Sequence, residues 1–239
     1  MVVSQTLSVS DNPQQGSYNG VALPVAWKVD DDGVATQPIK LVEKGTLKTL
    51  LTTRAPAPPL EHSSGSRHGW GPAPTTLTLA AEKTMTHDEM RQELLRRVKE
   101  RGLAYGIVVR TVGGGGLSGL LRMFAAMAAS PGSMATNSLT EVYKLFADGH
   151  EELVRGADLS GMTTATFRDI VAAGDELVLF NAAFIPKFNA LFSMGFSGAS
   201  DLAVVSYMVP SLLFEEATIV RTTSPRPNPP ATKSPLAER

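Results

Sequence analysis

The 239 residues, 43% of them hydrophobic and 19% charged, suffice for a sizeable core and fall in the ordinary globular range. Basic and acidic residues nearly cancel, 22 against 23 for a net charge of -1, which leaves no strong field to attract nucleic acid or anionic lipid. The lack of cysteine excludes disulfides, thiolate nucleophiles and any Cys-based zinc or iron–sulfur site within this chain.

The opening Met1-Val2-Val3-Ser4-Gln5-Thr6 has no basic start and no apolar run, so it does not resemble a secretory signal, and a cytoplasmic location is expected. The strand pattern starts abruptly, as it does in a domain cut from a longer chain. Short β-prone runs at 25–29, 39–42 and 47–51 are joined by Asp30-Asp31-Asp32-Gly33 and Glu43-Lys44-Gly45, whose glycines supply the positive φ of tight hairpins. Five prolines between 56 and 74 mark a loop. The spacing then predicts a helix over 87–101. Thr86 is its N-cap, Glu89 completes a capping box, Gly102 ends it, and Met90, Leu94, Leu95 and Val98 share its inner face. A strand over 106–112 precedes a second helix over 117–129, with Leu117, Leu120, Leu121, Phe124 and Met127 on one stripe that is either core or docking face. The apolar stretch 117–135 contains Arg122, Ser130, Pro131 and Gly132 and is too broken to span a membrane.

Asp148-Gly149 signals a hairpin between 142–146 and 152–155, and a third helix is predicted over 164–173, with Phe167, Ile170 and Val171 inward and Gly174 as its stop. Strand-like runs follow at 176–181, 202–208 and 212–221. The tail 222–239 carries five more prolines and only Leu236 as a large apolar residue, so it is expected to be disordered. Together these elements predict an α+β fold, a mainly antiparallel, barrel-like sheet with two or three packed helices.

Three constellations invite a chemical reading. Gly114-Gly115-Gly116-Leu117-Ser118-Gly119 fits G-x-G-x-x-G between a strand and a helix, so a nucleotide site on Gly114, Gly116 and Gly119 is one alternative. The remaining chain does not alternate strand and helix, and Glu141 precedes a strand instead of ending one, which argues against it. His62 and His68 with Glu61 lie in the proline-rich loop, where a zinc site would lack fixed geometry and a further ligand. His150-Glu151 starts like H-E-x-x-H, but the second histidine is missing, and no serine sits in G-x-S-x-G.

Several segments, in order, resemble the C-terminal domain of the TldD/PmbA metallopeptidases, also called modulators of DNA gyrase. They are Asp30-Asp31-Asp32-Gly33-Val34 with Lys40-Leu41-Val42-Glu43-Lys44-Gly45-Thr46-Leu47-Lys48-Thr49-Leu50-Leu51, then Thr53-Arg54-Ala55-Pro56, and Ser63-Ser64-Gly65-Ser66-Arg67, a degenerate form of the family's Ser/Thr-Asn-Gly-His-x-Arg. The run from Val142 through Gly156, with the following Asp169-Ile170-Val171-Ala172-Ala173-Gly174-Asp175, and Val209-Pro210-Ser211-Leu212-Leu213-Phe214-Glu215-Glu216 complete the set. The likeness runs over residues 1–221, with 113–140 as an unmatched insertion.

The resemblance implies a zinc peptidase system acting on peptides or partly unfolded chains, often built from two homologous subunits. Its H-E-x-x-x-H metal helix belongs to an N-terminal half not in this chain. Its cysteine ligand would fall near Phe196-Ser197-Gly198, where there is no thiol. No metal ligand or catalytic residue is therefore assigned here, and zinc is expected in an N-terminal catalytic half or a homologous TldD-like subunit. The implied role is a noncatalytic one, the wall of a peptide-binding cavity to which an extended substrate adds as a strand, with Arg67 and His68 facing it. A purely structural assembly domain is the remaining alternative.

Overall fold

The computed structural model describes residues 1–56, 58–69, 71–112, 137–163, 165–184 and 203–221. In chain order its strands are β1 (Leu7–Asp11), β2 (Ser17–Tyr18), β3 (Val21–Ala22), β4 (Ile39–Glu43), β5 (Thr46–Leu47), β6 (Arg67–His68), β7 (Gly71–Pro72) and β8 (Thr76–Ala81). Helix α1 (His87–Glu100) follows, then β9 (Tyr105–Val112), β10 (Asn137–Phe146), β11 (Glu151–Val154), β12 (Ala157–Ser160), β13 (Ile170–Phe184), β14 (Ala203–Phe214) and β15 (Thr218–Arg221). The described residues form two compact units, those within 1–106 and 162–217, and those within 107–161 and 218–239.

The first unit is built on a six-stranded sheet of order β13-β14-β8-β1-β4-β5, antiparallel except where β14 runs parallel to β8. Leu7, Ile170 and Ala173 form its buried cluster, with Leu79, Phe167, Leu212 and Phe214 packed around them. Helix α1 forms as its sequence dictates. The Thr86 hydroxyl accepts the Glu89 N–H, the Glu89 side chain accepts the Thr86 N–H, and Val98 is buried on the inner face. It sits close to the chain because two glycines leave room: a Cβ at Gly106 would lie 2.9 Å from Leu94 Cγ, and one at Gly174 would lie 3.4 Å from Met90 Sδ. Glu215, at the turn after β14, pairs with Arg97 and Arg101 and ties the far end of the helix to the sheet.

The second unit orders its strands β11-β10-β12-β15, and β9 also pairs with β10. Asp148-Gly149 makes the tight turn between β10 and β11 that the sequence predicts, with Gly149 at φ 87°. Leu139, Val142 and Ala157 are buried together, with Ile107, Val154, Leu159 and Ile219 against them.

The architecture is mostly β, and three expectations need correction. The six-stranded sheet ends on β13 and β5, which do not pair with each other, so the sheets are open and no barrel closes among the described residues. The predicted helix over 164–173 is a single 3₁₀ turn, Thr166–Asp169, that leads directly into β13. There Ile170 pairs with Phe214, and β-branched Ile170 and Val171 are served better by that ladder than by a helix. Gly174 stops nothing; it lies within β13 under Met90, where the register shifts. Thus α1 is the single α-helix among the described residues, not one of two or three. The helix predicted over 117–129, the glycine loop at 114–119, Phe196-Ser197-Gly198 and the tail 222–239 lie outside the described residues. Residues 25–29 do not pair with 39–42. Val29 forms a lone bridge with Ala35, while β4 pairs with β1.

Candidate functional site

The two residues singled out in the sequence fall together on the short β6–β7 hairpin, Arg67 opposite Pro72 and His68 opposite Gly71. Two residues do not fix themselves, and the loop over 30–34 does the fastening. Asp30 is 5% exposed, and its carboxylate accepts the N–H groups of Asp32, Val34 and Arg67 at 3.0, 2.9 and 3.0 Å. Asp31 accepts the Gly69 N–H at 2.6 Å and donates its own N–H to the Arg67 carbonyl at 3.0 Å. Asp32 accepts the Arg54 N–H at 3.0 Å and lies 3.7 Å from the Arg67 guanidinium. Three consecutive carboxylates, which as a charge run read like a solvated turn, hold one hairpin in place.

Arg67 and His68 have different surroundings. The Arg67 side chain is 38% exposed. His68 is 8% exposed, its ring stacked on Trp27 at 5.4 Å between centroids and its Nε2 3.1 Å from the Thr75 hydroxyl, while Nδ1 reaches no hydrogen-bond partner. Burial pushes its pKa below the usual imidazole value, and the charges of Asp31 and Asp30 partly oppose that. Behind Thr75, the buried Asp11 accepts the N–H groups of Thr75 and Thr76 at 2.9 and 2.8 Å. Burial raises its pKa against the lowering effect of those two bonds.

Beside the hairpin runs a cleft of about 440 Å³ that the sequence reading did not find. Leu47, Leu50, Leu51, Pro56, Pro59 and Leu60 line it, together with Pro72 of β7. Leu47 and Leu50 are 45% and 54% exposed, so apolar surface is open to water here. Thr52, which also lines it, is fixed by Ser64, with which it exchanges backbone and hydroxyl hydrogen bonds between 2.7 and 3.0 Å. The available signal was the leucines over 47–51 facing a proline cluster; pairing them across the loop needed the fold.

Among the described residues no three His, Cys, Asp or Glu side chains come together to hold a metal. His62 is exposed, its carbonyl taken by Thr52, and the carboxylates nearest His68 are occupied by backbone amides. The described residues thus offer zinc no ligand set.

The sequence profile of the PmbA/TldA metallopeptidase C-terminal domain matches residues 1–221. The chain belongs to this family. Solved structures agree on the fold. A candidate modulator of a DNA gyrase from Thermotoga maritima aligns at TM-score 0.57 with 19% identity, over 92% of this chain and 40% of that one. TldE from Thermococcus kodakarensis aligns at 0.52 with 12% identity, over 91% and 40%. A candidate modulator of DNA gyrase from Bacteroides thetaiotaomicron aligns at 0.52 with 17% identity, over 92% and 38%. The chain thus spans about 40% of the length of the first two. Among curated proteins no sequence matches it.

Proposed function

We propose that this PmbA/TldA-type domain forms the wall of a peptide-binding cavity in a cytoplasmic zinc metallopeptidase and is noncatalytic by itself. The observation that carries the reading is the apolar cleft that continues from β5, the outermost strand of the six-stranded sheet. An extended peptide laid along β5 gains backbone hydrogen bonds at Leu47, whose N–H and C=O point away from β4 while Lys48 donates to the Leu41 carbonyl, and turns alternate side chains toward Leu47, Leu50 and Leu60. Arg67, half-exposed on the neighbouring hairpin, supplies a guanidinium for a substrate carbonyl or carboxylate, and His68 serves beneath it as a positioning residue. The zinc belongs to an N-terminal catalytic half or a homologous TldD-like subunit. In this reading 113–140 is an insertion within the 1–221 domain, its last four residues opening β10, and 222–239 is a tail beyond that domain.

The test is a peptidase assay on the purified chain with an unfolded polypeptide, with and without added zinc and a chelator. The expected outcome is an intact, bound substrate in every condition. Cleavage by this chain alone that the chelator abolishes contradicts the noncatalytic role.

A further inference from the structure

We propose that His68 is an acid-sensitive latch on the β6–β7 hairpin, closed while its ring is neutral and released when the ring takes a second proton. A neutral imidazole suits the observed pocket. Nε2 lies 3.1 Å from the Thr75 hydroxyl and Nδ1 is buried without a partner against the Trp27 stack, so the tautomer with its proton on Nε2 donates to Thr75 and leaves Nδ1 as a bare acceptor. An imidazolium carries N–H on both nitrogens. The second donor would then be buried with nothing to accept it, and a charge would be held out of water.

The surrounding charges do not remove that conflict. From the 30–34 loop, Asp30 and Asp31 favour the charged ring, but neither reaches Nδ1, and both Asp30 oxygens and Asp31 Oδ2 already accept the N–H groups of Asp32, Val34, Arg67 and Gly69. Arg67, next along the same strand, is directed to Asp32 and adds like charge. From β1, Asp11 stands behind Thr75 and accepts its N–H. Burial outweighs the two aspartates, so the buried ring binds its proton more weakly than a free one.

The direction follows by linkage. A released ring titrates near 6.5 and the buried ring lower, so closure is fully favoured above 6.5 and weakens as pH falls from there to the buried value. One proton limits the rise in the opening constant to about tenfold per pH unit. Asp11 works the other way. Its raised pKa relieves strain as pH falls, so it is not the source of an acid-driven opening.

Opening breaks the bonds from Arg67 N–H to Asp30 and from Ala73 N–H to the Ser66 carbonyl, and these two amides report it. The experiment is hydrogen exchange at both amides on the full chain, corrected for intrinsic rates, from about pH 7.5 to 5, with an NMR titration of the His68 ring. The expected result is a His68 midpoint below 6.5 and protection that falls by up to about tenfold per pH unit in wild type but not in His68→Gln, which keeps a donor for Thr75 and does not titrate. A His68 midpoint at or above 6.5, or the same acid-driven loss in His68→Gln, overturns the latch. Should His68→Gln fail to fold, the wild-type pair of measurements decides alone: protection that does not follow the His68 titration overturns it.

Discussion

Asp30 does more for this molecule than its place in a run of three aspartates suggests. Its carboxylate is buried and accepts three backbone N–H groups, one of them from the hairpin that carries Arg67. Asp30→Ala leaves these donors without an acceptor and is expected to cost about 3 kcal/mol in urea unfolding, with Asn, which has one acceptor oxygen, recovering part of it. Gly65 is a second such point: φ is 68° and an added Cβ would lie 2.5 Å from the Ala35 carbonyl oxygen. Gly65→Ala is expected to lower stability by about 1–3 kcal/mol in the same assay. The sequence made Arg67 and His68 visible as a pair through the family-like stretch before them. It did not reveal that His68 is buried beneath Trp27, because local spacing carries no record of which distant loop packs on a ring.

Helix α1 shows how far local signals reach. Its start, capping box and inner face are written in consecutive residues, and the structure repeats them at Thr86, Glu89 and Val98. Thr86→Ala is expected to cost about 1 kcal/mol in thermal or urea unfolding. Glu93 adds a pH dependence. The Arg96 guanidinium, then Arg97, hold its carboxyl down to about 2, against an opposing effect of burial. A lowered pKa means that its stabilisation is present above 4.5 and is lost as pH falls from there toward 2; melting curves across that range should show a drop that Glu93→Gln flattens. Residues 164–173 mark the limit of such reading. Phe167, Ile170 and Val171 have helical spacing, but the partner that decides their state is Phe214 on a strand far along the chain. The same holds for residues 25–29, where a carboxylate closes the loop and β1 takes the strand that the turn appeared to offer. Hairpins closed by a few residues, as at Asp148-Gly149, were legible; pairings across long separations were not.

At the scale of the whole molecule, family membership over residues 1–221 and the open sheet agree on a module, and the chain spans about 40% of its first solved relatives. The apolar cleft beside β5, the outermost strand of the sheet among the described residues, is what supports the proposed substrate-holding role. Among the described residues no cluster of ligands for a metal accompanies that cleft. The measurement that tests this account most directly is the fluorescence anisotropy of a labelled, extended apolar peptide titrated with wild type and with Leu50→Asp. Leu50 is 54% exposed, so the change spares the core. The account predicts saturable binding to wild type that Leu50→Asp weakens at least about tenfold, since a charge placed in the cleft loses solvation when peptide covers it. Equal binding by both proteins, or none by wild type, would contradict the cleft as the peptide site.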